Sequence, residues 1–323
     1  MDIKPVAKNI LLFVTFVFLV ATILWGLQWF SISLYGFFEK KVAQNQQSFL
    51  ASAQNSNLGG ASVSQNLLPS RNWQIEDLKI DAEAAISVET DLSAQKKVLF
   101  KKDETKILPI ASLSKLMTAL VVLENYNLSR PAVISEVAVS QEGEQGNLKI
   151  GQSLSIKNLL YIMLIESSND AAYSLSGIMG QEKFIALMNV KAKALGLLNT
   201  YFTDSSGLGS GSYSTAKDLV VLTEYLLNKY PLVLEIIGLK EYDLYLDNNE
   251  FHHKLINTNK LLGEIPEVIG GKTGFTKAAK GTFLVVEESP QKGNYLINVV
   301  LGSVDRFEEM KKIINWLNIA YEW

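Results

Sequence analysis

The apolar and polar positions divide the chain into three stretches. From Ile10 to Phe38 no residue is charged, and Ile10–Phe30 is apolar almost throughout. At about 1.5 Å of rise per residue, a helix over that run is roughly 31 Å long, enough to cross a hydrocarbon layer. Trp25, Trp29 and Tyr35 gather toward its far end, where amphipathic rings favour a membrane interface. The pattern predicts one transmembrane anchor over 10–38, after a short cytoplasmic segment at 1–9. The run is long for a cleaved signal peptide, and the nearest small-residue site, Ala51-Ser52-Ala53, lies well beyond it, so retention is expected. Next, Val42–Ser70 holds no Asp, Glu, Lys or Arg, and more than half of it is Ser, Asn, Gln or Gly. Such a stretch buries too little apolar area to offset its ordering entropy, which makes 39–71 a flexible polar linker.

From Asn72 to Trp323 the pattern is that of a folded domain. Ala84–Thr90 and Lys97–Lys102 flank a polar turn and predict a hairpin. Apolar residues at Leu116, Met117, Leu120 and Leu123 give Ser112–Tyr126 a helical face, and helical patterns recur at Ile156–Ile165, Glu182–Ala194 and Thr215–Lys229. The period then changes. Gly281–Glu288 and Tyr295–Leu301 predict two strands around a Pro-Gln-Lys-Gly turn. Phe307, Met310, Ile314, Leu317 and Tyr321 predict a last helix behind an Asp305 N-cap. Strands at both ends with helices between imply an α+β domain at 72–323, its first and last strands meeting in one antiparallel sheet flanked by helices.

Composition narrows the chemistry. The net charge is −3 with both signs mixed, which argues against nucleic acid as a partner. There is no cysteine, so thiol nucleophiles, disulfides and Cys-ligated metals are excluded. The two histidines, His252 and His253, are adjacent, so a multi-histidine metal centre is excluded too. No metal or cofactor is expected, and hydrolytic chemistry here has to find another base. The mean hydropathy of +0.13 averages an apolar anchor with an ordinary domain.

Ser112-Leu-Ser-Lys115 stands at a predicted helix start, where i, i+3 spacing puts both functional groups on one face. A serine needs an adjacent base, and lysine serves only when neutral. Its ordinary pKa of about 10.4 must fall to near neutrality, which takes roughly 4 kcal/mol from burial, the helix N-terminus or a nearby cation. Three other SxxK patterns begin at Ser93, Ser214 and Ser289. Two fall in turns, and the Ser214 one reads as an ordinary N-cap. Only Ser112 is followed in order by Ser167-Ser-Asn169 and by the single Lys272-Thr-Gly274, which leads into Phe275.

In this order the motifs resemble those of the serine penicillin-recognising enzymes, and most closely the D-alanyl-D-alanine carboxypeptidases, the low-molecular-mass penicillin-binding proteins. The likeness covers nearly all of 80–320 and includes Ile110–Thr118, Ser168–Ala172, Phe202–Leu208, Tyr213–Leu219, Asn257–Leu262 and Gly271–Lys277. It implies a transpeptidase/β-lactamase-like fold with a mainly helical subdomain, acting on peptidoglycan stem peptides ending in D-Ala-D-Ala and trapped covalently by β-lactams. By the same resemblance Ser112 would be nucleophile, Lys115 its base, and Ser167 a proton relay held by Lys115 and Lys272. Asn169 would contact the acyl-side amide, and Lys272 and Thr273, with Gly274 beside them, would bind the terminal carboxylate. The backbone N–H groups of Ser112 and Phe275 would form the oxyanion hole. Many relatives carry Gly at the place of Ser168 and an Asp-Gly pair at Ile269-Gly270. Many also append a β-rich C-terminal domain, so anchoring is expected from the N-terminal segment, with the catalytic domain outside the cytoplasm. Glu224-Tyr-Leu-Leu-Asn228 fits the E-x-x-L-N pattern of class A β-lactamases, but falls in a helical stretch and reads as an exposed helix residue. The histidine pair reads as surface or groove wall.

Overall fold

The structure, a computed structural model, describes residues 68–92, 96–143 and 146–323. The anchor expected at 10–38 and nearly all of the linker lie outside these residues. Among the described residues no helix is long and apolar enough to cross a membrane.

The principal elements, in chain order, are β1 (Ala84–Thr90), β2 (Lys96–Lys102), α1 (Ser114–Asn125), α2 (Ile156–Ile165), α3 (Asn169–Gly177), α4 (Gln181–Ala194), α5 (Ala216–Lys229), α6 (Leu232–Gly238), β3 (Glu241–Tyr245), β4 (Phe251–Ile256), β5 (Val268–Thr276), β6 (Lys280–Glu288), β7 (Tyr295–Ser303) and α7 (Arg306–Ala320). Five strands form one antiparallel sheet in the order β5-β6-β7-β1-β2. The expected meeting of first and last strands is therefore the β1–β7 ladder, running from Thr90 opposite Tyr295 to Ala84 opposite Leu301. β5, which carries the Lys-Thr-Gly motif, is an edge strand with one side open.

The sheet is apolar on both faces because both are covered. Along β6, Phe283 and Val285 join the core under α7, with Met310, Ile313 and Leu317. Leu284 and Val286 point the other way, into the larger core with the helices. That is the period-two alternation of a strand packed on both sides. α1 runs through the middle of the helical core, with every residue from Ser114 to Val122 buried. Burial all round is what a helix with no polar face requires, and it gives the motif residues a rigid base.

Several boundaries differ from the sequence reading. Ordered structure begins before Asn72: Ser70 and Arg71 pair with Glu322 and Tyr321, and the Arg71 guanidinium stacks over the Trp316 ring at 4.8 Å. A polar dipeptide carries no strand signal until the chain's other end supplies its partner. Ser112 lies in a 3-10 turn, Ala111–Leu113, and the α-helix starts at Ser114. Asp305 does cap α7, accepting from the Phe307 and Glu308 N–H groups. The helix stops at Ala320, however, and Tyr321 reaches the core from the terminal strand, donating to the Leu99 carbonyl. The β3–β4 hairpin, which sets Leu244 opposite His253, went unread because its residues alternate poorly in hydropathy.

Candidate active site

The site is assembled where the turn before α1, the loop between α2 and α3, the edge strand β5 and the loop 202–208 converge. Ala111 takes a left-handed φ of 49°, which brings Ser112 out of the extended chain just before the helix. The fit around that turn is close. A Cβ at Gly207, where φ is +78°, would lie 1.8 Å from the Ala111 carbonyl oxygen, so no other residue is tolerated there. A Cβ at Gly274 would lie 2.8 Å from the Ser112 nitrogen and 2.5 Å from the Thr282 hydroxyl. The glycine of Lys-Thr-Gly thus lets the edge strand lie against the nucleophile's backbone.

Lys115 is wholly buried. Its Nζ lies 2.8 Å from the Ser112 Oγ, 2.7 Å from the Asn169 Oδ1 and 2.9 Å from the Ser206 carbonyl oxygen. Burial pulls its pKa down to about 7, against the opposing pull of the Asp204 carboxylate. A neutral amine has two N–H donors and one lone pair. Asn169 and Ser206 offer only acceptors, which take the two N–H groups and leave the lone pair for the Ser112 hydroxyl. The Asn169 amide is itself fixed, its Nδ2 donating to the Glu142 carbonyl at 2.6 Å.

Ser167 sits past the end of α2 with φ +65°, a strained conformation for a non-glycine residue and one found at functional sites. Its Oγ accepts from the Lys272 Nζ at 2.6 Å, and the same nitrogen donates to the Thr273 carbonyl at 3.0 Å. Ser167 is thus held from the Lys272 side, whereas the Lys115 bonds go to Ser112, Asn169 and Ser206. Ser168 turns inward and caps α3, accepting from the Ala171 N–H. Lys272 is also fully enclosed, and its pKa is held well below the ordinary lysine range by burial, then by the Lys115 and Arg306 charges. The Thr273 hydroxyl donates to the Thr258 hydroxyl at 2.7 Å, and Phe275 stands exposed at the mouth.

Several participants were not singled out from the sequence. Asp204 accepts from the Ser206 and Gly207 N–H groups at 2.8 and 2.6 Å, which presents the Ser206 carbonyl to Lys115. The Asp-Ser-Ser-Gly run is an Asx-turn signal that marked the loop but not its target. Thr258 lies in the Asn257–Leu262 stretch of the resemblance but was given no role there, and Arg306 carries no local signal. Glu224 is a half-buried residue of α5 paired with Lys96 at 3.1 Å, and among the described residues no group of three or more His, Asp or Glu side chains could hold a metal ion.

A serine hydroxyl against a buried lysine, with a second serine held by a second lysine on a sheet edge, on this mixed α/β fold, defines the class of serine penicillin-recognising proteins. Comparison with known proteins narrows the class. Residues 71–305 match the family described as D-alanyl-D-alanine carboxypeptidase, and the chain belongs to that family. It is 34% identical over 254 residues to the D-alanyl-D-alanine carboxypeptidase DacF of Bacillus subtilis, covering 76% of this chain and 63% of that one, so it spans under two thirds of that relative's length. A D-alanyl-D-alanine endopeptidase of Pseudomonas aeruginosa is 31% identical over 229 residues, covering 68% and 73% of the two chains. The crystal structure of the Streptomyces K15 DD-transpeptidase superposes with a TM-score of 0.68 at 28% identity, covering 75% of this chain and 98% of that chain.

Proposed function

We propose that the chain is a membrane-anchored serine D-Ala-D-Ala carboxypeptidase that removes the terminal D-alanine from peptidoglycan stem peptides. The observation that carries this reading is the Lys115 amine, near-neutral in pKa and aimed at Ser112 by two fixed acceptors. Ser112 Oγ attacks the carbonyl carbon between the two D-alanines, and its proton passes to the Lys115 Nζ. The oxyanion takes hydrogen bonds from the Ser112 and Phe275 N–H groups, each worth about 3–4 kcal/mol in acyl transfer. The C–N bond breaks as Ser167 hands a proton to the leaving nitrogen and is resupplied from the lysines. Water then attacks the ester, gives a proton to Lys115, and restores Ser112.

The substrate's terminal carboxylate lies against Lys272 and the Thr273 hydroxyl. Arg306 adds charge there, and its Nε has no hydrogen-bond partner among the described residues. The uncharged run at 10–38 anchors the chain, leaving the catalytic domain on the peptidoglycan side of the cell membrane.

The test is labelled penicillin followed by peptide mapping, together with mass analysis of a D-Ala-D-Ala pentapeptide. The expected result is label on Ser112 and loss of one alanine, both abolished by Ser112→Ala. Label elsewhere, or activity surviving in Ser112→Ala, overturns the reading. Rapid penicillin turnover lost in Glu224→Gln would instead establish a β-lactamase.

A further inference from the structure

Glu166 closes α2 as its C-cap, and Ser167 follows in the left-handed position that glycine usually fills after a helix. A serine there is strained and persists only where its surroundings fix it. The residues on either side are fixed. Ser168 is buried and caps α3, accepting from the Ala171 N–H at 3.1 Å. On the other side the Ile165 carbonyl accepts from the Thr258 N–H at 3.2 Å, and the Glu166 N–H donates to the Ile162 carbonyl at 3.2 Å. Those two ties run from backbone to backbone. A third is made by side chains: the His253 Nε2, on β4, lies 3.1 Å from the Glu166 Oε2.

The two histidines form one unit. The His252 Nδ1 bonds the His253 Nδ1, which requires a proton on one nitrogen and a lone pair on the other. The Glu166 carboxylate only accepts, so the His253 Nε2 carries a proton. In the neutral pair His252 donates to the bare Nδ1 of His253. With one proton more, His253 is an imidazolium and donates to both neighbours. The Glu166 bond is made in either state, so it does not lapse as the pair titrates between them. The His253 and Glu166 side chains are only 18% and 16% exposed, so water competes little for that bond. Both border a cleft of about 550 Å³ shared with Asp170 and Thr258, so truncating either opens onto that space rather than into packed core.

We propose that His253 is a positioning residue for Ser167: acting through Glu166, it holds the serine in its left-handed turn with the Oγ on the Lys272 Nζ. This rests on the carboxypeptidase reading, in which Ser167 protonates the leaving nitrogen, and adds a residue that lies in none of the three motifs. Once Glu166 is released, Ser167 relaxes out of the strained turn and its proton no longer points at the leaving group. Only steps that need that proton are slowed.

The test uses the full-length chain and two substrates, a D-Ala-D-Ala pentapeptide and its thioester counterpart with sulfur in place of the scissile nitrogen. A thiolate leaves without a proton, so the thioester bypasses Ser167 and also reports that each variant is folded. His253→Ala and Glu166→Ala are each expected to lower kcat/KM on the pentapeptide about tenfold, the scale of one hydrogen bond to a charged group. Each should change the thioester rate less than about threefold, and the double variant should fall no further than either single one. His253→Gln, whose amide N–H can still donate to Glu166, should recover most of the loss. Equal losses on both substrates overturn the proposal, as do losses that multiply in the double variant or a His253→Ala enzyme within about twofold of wild type. In those cases a wild type that releases D-alanine and takes penicillin on Ser112 leaves the carboxypeptidase reading standing. A wild type that does neither ends that reading and this inference with it.

Discussion

One lysine comes from the helical core and one from the sheet edge, and both are closed off from water, yet their surroundings differ. Lys115, on α1, is depressed by burial alone, and the Asp204 carboxylate partly restores its affinity for a proton. Lys272, on β5, is depressed by burial and then further by two positive neighbours, Lys115 and Arg306. The first environment leaves a base poised near neutrality. The second sets Lys272 beside a hydroxyl and near Arg306, the place where the proposed reaction puts the substrate's carboxylate. In the proposed reaction, identical side chains serve as a proton acceptor and an anion receptor.

The comparison breaks most decisively at Lys115. Lys115→Ala is expected to slow acylation by labelled penicillin about 10²–10⁴-fold, the range for a lost general base. A loss below tenfold would remove lysine from that role. Lys272→Ala is expected to cost about 10²-fold in kcat/KM on a D-Ala-D-Ala peptide, the scale of a charge-assisted bond. That loss should largely vanish with the C-terminally amidated peptide, and an equal loss on both peptides would mean that Lys272 does not read the carboxylate.

The pH profile sharpens the comparison further. Acylation should rise with pH through about 7 as Lys115 loses its proton. Asp204 favours the charged form, so Asp204→Asn should move that rising limb to lower pH, by about half a unit to one unit. The Asn Oδ1 can still accept from the Ser206 and Gly207 N–H groups, so the loop is expected to hold. A limb that stays in place, or moves to higher pH, contradicts the assignment. Smallest is Thr258→Val, which removes the acceptor of the Thr273 hydroxyl. A loss near 1 kcal/mol, read as a roughly fivefold rise in KM for the pentapeptide, is expected.

The sheet and most of the helices were legible because their signals are local. The apolar run of β6, the stripe of α7 and its Asp305 cap need only their neighbours in sequence. Ser112, Ser167 and Lys272 were legible through order and context, since one serine alone had both partner motifs downstream. The role of Thr258, inside the Asn257–Leu262 stretch, and the presence of Arg306 were not. Each is an ordinary residue until the fold sets it beside Thr273 or Lys272. The histidines were read as surface or groove wall, and His253 lines a cleft, but its bond to Glu166 joins residues far apart in the chain.

By itself the sequence determined which groups were available: no thiol, two adjacent histidines, and a serine–lysine pair at a helix start with its partners in order. It also determined where the apolar runs lie, and with them the layers of the domain. Only the tertiary structure decided what state those groups are in. The depression of Lys115 comes from complete burial, and the direction in which the amine points comes from the Ser206 carbonyl and the Asn169 amide. Local sequence fixes neither. Desolvation sums over every atom packed around a group, and a hydrogen bond needs two groups at one place. Both are set when distant segments close on each other.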